Sequence, residues 1–433
     1  MMVKSHSEVT IAENKISTME VMTMKKFAKV LALCLALVMV VGCFTACGEN
    51  KTPDEPQNTA ENIKVALICL HGDSSTYDKN FIDAFKLACA NKGLTADDYT
   101  IVTDIPEGTA CYDQAADLAE SYDLIFADSF GHEPYMIQAA KEFPDVEFCH
   151  ATGTKAHTEG LANFHNAFAS IYEGRYLAGV AAGMKLVELY GDAEGKVADE
   201  NAKIGYVGAF PYAEVISGYT SFYLGAKSVV ENATMEVRYT NSWYDEPAEK
   251  TTALALIDNG CKLISQHADS WGAPTACEEK NIPNVSYNGS TEEKCPNTFI
   301  IASRINWAPY FEYIIDCVQN DKAIDTDWTG TISTGSVEIT ALGGAAAEGT
   351  QKKLDEVKKG LQDGTIKVFD CANFTVDGQA LTSFIADVDD AGDFVAETEV
   401  VETANGITFV NESAKRSAPY FNIIIDGITA ITE

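Results

Sequence analysis

Past residue 62 the hydrophobic positions of the chain follow two alternating rhythms. Ile63 to Leu70 (IKVALICL) is a short, nearly continuous apolar run, as a strand buried on both faces requires, and Asn80 to Lys92 carries its apolar residues at helical spacing. The pair recurs as strand Asp98 to Val102, helix Ala110 to Ser121, strand Leu124 to Ala127, helix Glu133 to Glu142 and strand Val146 to Cys149. Strands alternating with helices of this length predict a parallel sheet covered on both faces. A second series runs from helix Tyr172 to Lys185 through strand Lys203 to Val207, helix Val215 to Val229, strand Met235 to Tyr239, helix Ala248 to Asn259 and strand Leu263 to Gln266.

Two series of comparable size predict an α/β protein of two doubly wound lobes. Leu161 to Phe168 lies between them, strand Phe299 to Ser303 leads into an amphipathic helix from Trp307 to Gln319 that returns to the first lobe, and a third crossing falls at Gly330 to Ile339. The expected lobes are residues 63–165 with 306–330, and 166–305 with 331–433, joined as a hinged clamshell. Two domains in tandem would need a linker, and no stretch rich in Pro, Gly and Ser separates the series.

The N-terminal region is patterned differently. Met24 to Cys47 reads two lysines, an apolar run of about a dozen residues and then small residues leading into cysteine, which predicts a lipoprotein export signal. The apolar run falls short of the roughly 20 residues of a membrane-spanning helix, so a cleaved signal is expected rather than an uncleaved anchor. Cys43 and Cys47 each follow a small residue, and the polar Gly48-Glu49-Asn50-Lys51 favours Cys47 as the acylated position. Acyl chains contribute about 0.8 kcal/mol per buried methylene, and two or more hold a chain stably at the outer face of the cell membrane. Residues 1–23 have no apolar period and are expected to be an extension ahead of the true start, while residues 48–62, polar with two prolines, read as a flexible tether.

Charge narrows the partners. A net charge of -33 over 433 residues repels nucleic acid and phosphorylated ligands and leaves neutral or cationic small molecules, although an acidic surface also serves solubility. Of twelve cysteines, nine lie beyond Cys47, an odd number without C-x-x-C spacing and often within apolar runs, so buried free thiols are expected rather than disulfides. The seven histidines include no H-x-x-x-H pair, and neither a metal site nor a cofactor is expected.

In open parallel sheets the ligand lies beyond the carboxyl ends of the strands. There the chain places Tyr77, Asp78 and Phe81 after the first strand and Asp128, Ser129 and Phe130 after the third. In the second series Phe210, Trp243, Asp269 with Ser270, and Asn288 take the equivalent places, and Trp307 opens the returning helix. Nearly every such turn pairs an aromatic with Asp or Asn. Aromatic faces stack on a flat ring, an ionised Asp accepts only, and Asn matches a mixed edge, so the set suits a planar heteroaromatic ligand. Each residue also has a plainer use: Asp78 as a helix N-cap, and Trp243 or Phe210 as rim packing. No phosphate-cradling loop of the form G-x-x-x-x-G-K-[ST] occurs.

In Tyr77 to Phe81, IYEGRYLAGVAAGMK (Ile171 to Lys185), IGYVGAFPYAEVISGY (Ile204 to Tyr219), SWYDEPAEK (Ser242 to Lys250), ISQHADS (Ile264 to Ser270) and SAPYFNIIIDGI (Ser417 to Ile428) the chain resembles the basic membrane protein family of lipoprotein solute receptors. The resemblance implies the two-lobed type I binding-protein fold, ATP-driven import with a membrane permease as partner, and purine ligands stacked on Phe81 and held by Asp128. Two departures bear on the ligand: the last amide of D-x-S-F-N becomes Ile82, and Asn288 and Asn306-Trp307 stand where nucleoside-binding members place an Asp and a Lys for ribose. That pattern resembles the branch binding free bases such as adenine or hypoxanthine. A sensor presenting its closed form to a membrane signalling protein is the alternative, and a nucleoside hydrolase a weaker one, since no nucleophile elbow or Ser-His-Asp set accompanies the carboxylates.

Overall fold

Strand β1 (Val65–Ile68) is buried at all four positions and pairs in parallel on both sides, with β2 (Tyr99–Val102) and β3 (Leu124–Ala127). The computed structural model describes residues 63–388 and 398–431; the expected leader, the tether, Cys43 and Cys47 lie outside the described residues. With β4 (Glu147–Ala151), β5 (Phe164–Ala169) and β11 (Asp327–Gly330), these strands form one six-stranded parallel sheet in the order β11-β5-β4-β3-β1-β2. A second sheet of seven strands runs β12-β10-β9-β8-β6-β7-β19, from β6 (Lys203–Gly208), β7 (Thr234–Tyr239), β8 (Leu263–His267), β9 (Asn284–Tyr287), β10 (Phe299–Ile305), β12 (Val337–Ile339) and β19 (Ile428–Ile431). Only β12 is antiparallel to its neighbour.

Helices α1 (Thr76–Asn91), α2 (Thr109–Ala119), α3 (Glu133–Glu142) and the single turn α4 (Ala156–Glu159) follow strands of the first sheet. Helices α5 (Ile171–Tyr190), α6 (Ala213–Lys227), α7 (Glu246–Asp258) and α8 (Gly272–Lys280) serve the second. Separate apolar clusters under α2 with α3, and under α7 with α8, bury the outer faces, while a larger one joins the inner faces. Helix α9 (Ala308–Gln319) returns to the first lobe and packs on α1, its Phe311 set edge-on to Phe85 and Phe126 at 5.2 and 4.9 Å. The chain crosses between sheets three times: after Ala169, after Ile305 and between Gly330 and Val337. The crossings hold one another, Ser170 N–H donating to the Gly330 carbonyl at 2.8 Å and Asn306 N–H to that of Ser336 at 2.9 Å.

The interleaved sheets are the clamshell the patterning predicts, with the tandem arrangement excluded because β11 returns to the first sheet. Three details differ from expectation. Strand β5 runs to Ala169 in the first sheet, so the boundary drawn at 165 falls too early, since an all-buried strand ends only where its pairing with β11 ends. Helix α1 starts at Thr76 rather than Asn80 because Ser75 Oγ caps it, accepting from Asp78 N–H at 3.2 Å. Beyond β12 the chain adds α10 (Thr350–Gln362) and three short antiparallel pairs, β13 (Thr375–Val376) with β14 (Gln379–Ala380), β15 (Ile385–Ala386) with β16 (Thr398–Glu399) and β17 (Val401–Ala404) with β18 (Ile407–Val410), before β19 closes the second sheet. This region is not confined to the second lobe as expected, for Ser417 N–H and Oγ–H both donate to Asp327 Oδ1 on β11 of the first. All nine cysteines from Cys69 on are free and buried.

Helices α5 and α6 touch backbone to backbone. A Cβ on Gly179 would lie 1.9 Å from the Phe222 carbonyl oxygen, and one on Gly225 would lie 2.1 Å from that of Tyr176, so neither position has room for a methyl group. Gly179→Ala is expected to lower stability by roughly 1–3 kcal/mol or more through overpacking, read as a reduced denaturant midpoint; an unchanged midpoint would contradict the close crossing.

Burial also couples folding to protons. It pushes the carboxyls of Glu173 and Glu249 up to about 7 and that of Glu412 to about 8, and it holds the imidazoles of His132 and His150 down at about 4. The folded chain keeps protons on these carboxyls where the unfolded chain has released them, so their contribution is lost as pH rises through the raised values. The histidines act the other way, below the ordinary imidazole value near 6.5. Between pH 6.5 and 8 the carboxyl effect stands alone. The melting temperature should fall by a few degrees across that interval, with a shallower slope in Glu412→Gln; a flat or rising profile would contradict the assignment.

Candidate functional site

Each sheet has its switch point between two neighbouring central strands: β1 and β3 in the first, β6 and β8 in the second. Chain leaving these strands at their carboxyl ends opens a crevice in which backbone and side chains converge. Both crevices face one cavity, lined by Leu70, Tyr77, Asp78, Ser129, Phe130 and Thr152 from the first lobe and Glu214, Trp243, His267 and Asp269 from the second.

The cavity is closed over by direct contacts between lobes. Thr76 donates through its backbone N–H at 3.1 Å and its hydroxyl at 3.2 Å to the carbonyl of Asp269. Asn80 Nδ2 reaches Asn288 Oδ1 at 3.4 Å, and ring pairs Phe130 with Tyr212 and His71 with Tyr244 stand 5.4 and 5.2 Å apart. Thr152 and Asn288 adopt left-handed backbone (φ 65° and 62°), a conformation that is strained for the β-branched Thr.

Tyr77 is fixed from behind, its hydroxyl donating to the Asp128 carbonyl at 2.6 Å. Because Ser75 takes the N-cap, Asp78 is not the cap that its position also allowed; its Oδ1 accepts from His71 N–H at 2.7 Å instead. Asp128 accepts from Leu70 N–H at 3.1 Å, and its Oδ2 is buried without a partner. Burial first, and then the neighbouring Asp78 charge, pushes the Asp128 carboxyl well above the carboxylate range. With Cys69 these two carboxyls form the one close group of Cys, His, Asp or Glu ligand atoms among the described residues. The Cys69 thiol is also driven well above its ordinary value, by burial and then by Asp128.

On the second lobe Asp269 is likewise raised well above its ordinary value by burial, Asp78, Glu249 and Glu214, with Arg175 opposing. Glu214 is pushed up to about 7 by burial, again against Arg175, and His267 lies well below its usual value through burial and that same guanidinium. Neutral His267 reaches Glu214 Oε1 from Nε2 at 3.3 Å. Trp243 is flanked edge-on by Phe210 at 5.1 Å, and Phe210 in turn stacks on Tyr212 at 5.0 Å.

Six of the expected site residues therefore line the cavity: Tyr77, Asp78, Ser129, Phe130, Trp243 and Asp269. Six do not. Phe81, one helical turn below Tyr77, is fully buried and stacks on Trp307 at 4.4 Å, so both rings are core beneath the site. Asp128 stands behind Asp78, Phe210 behind Trp243, and Asn288 bridges the lobes beside the cavity. Ser270 Oγ accepts from Gly272 N–H at 3.0 Å, at the start of α8. Leu70, Thr152, Glu214 and His267 line the cavity without having been singled out. Each follows or ends a strand at the same sheet edge as the others, which was the available signal, but none belongs to an aromatic and acidic pair.

The sequence pattern of PnrA-like ABC transporter substrate-binding proteins matches residues 113–368, more than half of the chain. A purine-binding protein of Brucella abortus is 35% identical over 188 residues, 43% of this chain and 49% of that one. A Haloferax volcanii protein provisionally named as the glucose-binding protein TsgA13 of an ABC transporter is 34% identical over 209 residues, 48% of this chain and 49% of that one. The chain thus spans about half the length of these curated relatives. Among solved structures, an ABC transporter solute-binding protein from Aeropyrum pernix shares the fold with a TM-score of 0.59 at 17% identity, over 71% of this chain and 93% of that one. The architecture is that of the type I periplasmic binding proteins, and the chain belongs to the PnrA-like family of ABC transporter substrate-binding proteins.

Proposed function

We propose that this chain is a lipid-anchored extracytoplasmic receptor that closes its two lobes over a purine base and delivers it to the permease of an ABC importer. Members of its family bind substrates for transport and are not enzymes, and ABC solute-binding proteins work outside the cytoplasm. Among the described residues no helix is long and apolar enough to cross a membrane. One observation carries the ligand assignment: the rings of Tyr77, Phe130 and Trp243 and the carboxyls of Asp78, Glu214 and Asp269 meet in a single interlobe cavity. Rings favour a planar face and carboxylates favour N–H donors at its edge. Among the described residues no lysine lines this cavity to hold a ribose, which favours a free base over a nucleoside. The Haloferax name favours a second reading, a hexose, whose hydroxyls would also satisfy carboxylates.

Closure stabilised by contacts with both lobes is the state the permease would recognise, because a ligand shifts the lobes only by binding the closed form better than the open one. Calorimetry with adenine, hypoxanthine, adenosine, guanosine and glucose separates the readings. A base should bind at micromolar or tighter Kd, within the reach of about ten heavy atoms, and Trp243→Ala should weaken it about tenfold or more through lost stacking and burial. Heat with glucose alone would replace the purine reading by the sugar one.

The anchor rests on Met24 to Cys47. Cells supplied with labelled palmitate should label the wild-type chain and Cys43→Ser but not Cys47→Ser; label retained in Cys47→Ser would move the acylation site.

A further inference from the structure

Glu214 sits in the first turn of α6 with its side chain 11% exposed, at the cavity wall facing Tyr77 and Asp78 of the other lobe. Its Oε1 is occupied by His267, and among the described residues nothing bonds its Oε2. What holds it is a buried train of side chains. The His267 ring packs on Tyr287 at 4.7 Å, and the fully buried Arg175 guanidinium lies over the Tyr287 ring, 3.2 Å from its centre, while its Nη1 donates to the Gln266 carbonyl at 2.8 Å. Gly218 leaves room for this arrangement, since a Cβ there would come within 2.8 Å of His267 Nδ1. Arg175 Nε and Nη2 have no hydrogen-bond partner, so the buried positive charge acts on Glu214 and Asp269 through space.

We propose that Glu214, oriented by His267 and with Arg175 as a positioning residue, selects among planar bases by accepting from an exocyclic amino group on the edge turned toward the second lobe. This deepens the purine reading and rests on it. Three features favour Glu214 for the role over the other acids of the cavity. Asp78 already accepts from the His71 backbone, and Asp128 is set behind Asp78. Burial and three neighbouring carboxylates raise Asp269 well above its ordinary value against Arg175, whereas Glu214 is raised only to about 7, by burial alone, with the same Arg175 favouring its charged, acceptor-only form. A ligand lacking a donor at this edge leaves the buried carboxylate unpaired, a larger loss than omitting an exposed contact.

Adenine and 6-methylpurine have nearly the same shape, but only adenine carries an amino donor at position 6. Calorimetry on the purified full-length protein at pH 8, above the raised value of Glu214, should give wild type a preference for adenine of about tenfold or more. The preference should fall below about threefold in Glu214→Ala and lie between in the near-isosteric Glu214→Gln, which guards against a failure to fold. In Arg175→Met the preference should also shrink. Equal weakening of both ligands in the Glu214 variants, or no preference in wild type, overturns the selective role while leaving a purine receptor. Absence of binding by any base overturns both readings together.

Discussion

Four carboxyl groups gathered in one water-poor crevice cannot all be charged. Asp78 and Asp128 from the first lobe lie near Glu214 and Asp269 from the second, and burial raises three of them, Asp128, Glu214 and Asp269, above their ordinary values, with repulsion from neighbouring carboxylates adding to it for Asp128 and Asp269. Closure holds through neutral contacts, above all Thr76 on the Asp269 carbonyl. What remains of the repulsion is offset by retained protons and by buried Arg175.

The scaffold supports this by placing rigid material behind each reacting surface. In the first lobe Ser129 is held at its hydroxyl by Glu107 at 2.7 Å and at its carbonyl by His150 at 2.7 Å. Buried Glu133 accepts from the backbone of Thr154 and Lys155 to fix the loop that presents Thr152. Phe81, Phe126 and Trp307 fill the space under Tyr77, so the cavity floor is packed apolar core. In the second lobe α5 enters directly from the first crossing and carries Arg175 into the middle of the sheet's inner face. The glycines that let α6 lie against it thereby also set the place of Glu214, on the first turn of α6.

Much of this was legible from the chain. Buried parallel strands read as continuous apolar runs because both their faces are covered, and the helices between them kept a clear period, so two doubly wound lobes followed. The residues after those strands drew attention because aromatic and acidic types are unusual together in loops. The rule that ligands lie beyond strand ends then picked out Tyr77, Asp78, Ser129, Phe130, Trp243 and Asp269. It also swept in Phe81 and Trp307, which share those turns but point one layer deeper. Composition carries no depth: Tyr77 and Phe81 are four residues apart on one helical face, and only the arrival of α9 from across the hinge decides which ring is covered.

The chain alone determined the alternation of strand and helix and the edge of each sheet on which chemistry collects. These follow from local period and from the fixed direction of parallel strands, and need no knowledge of distant neighbours. Tertiary structure alone decided that Glu214 and His267 form part of the site, that Arg175 is buried beside them and that Asp128 stands behind Asp78. Each depends on which side chains from remote segments are brought within a few ångströms, where burial and charge act most strongly and sequence spacing says nothing.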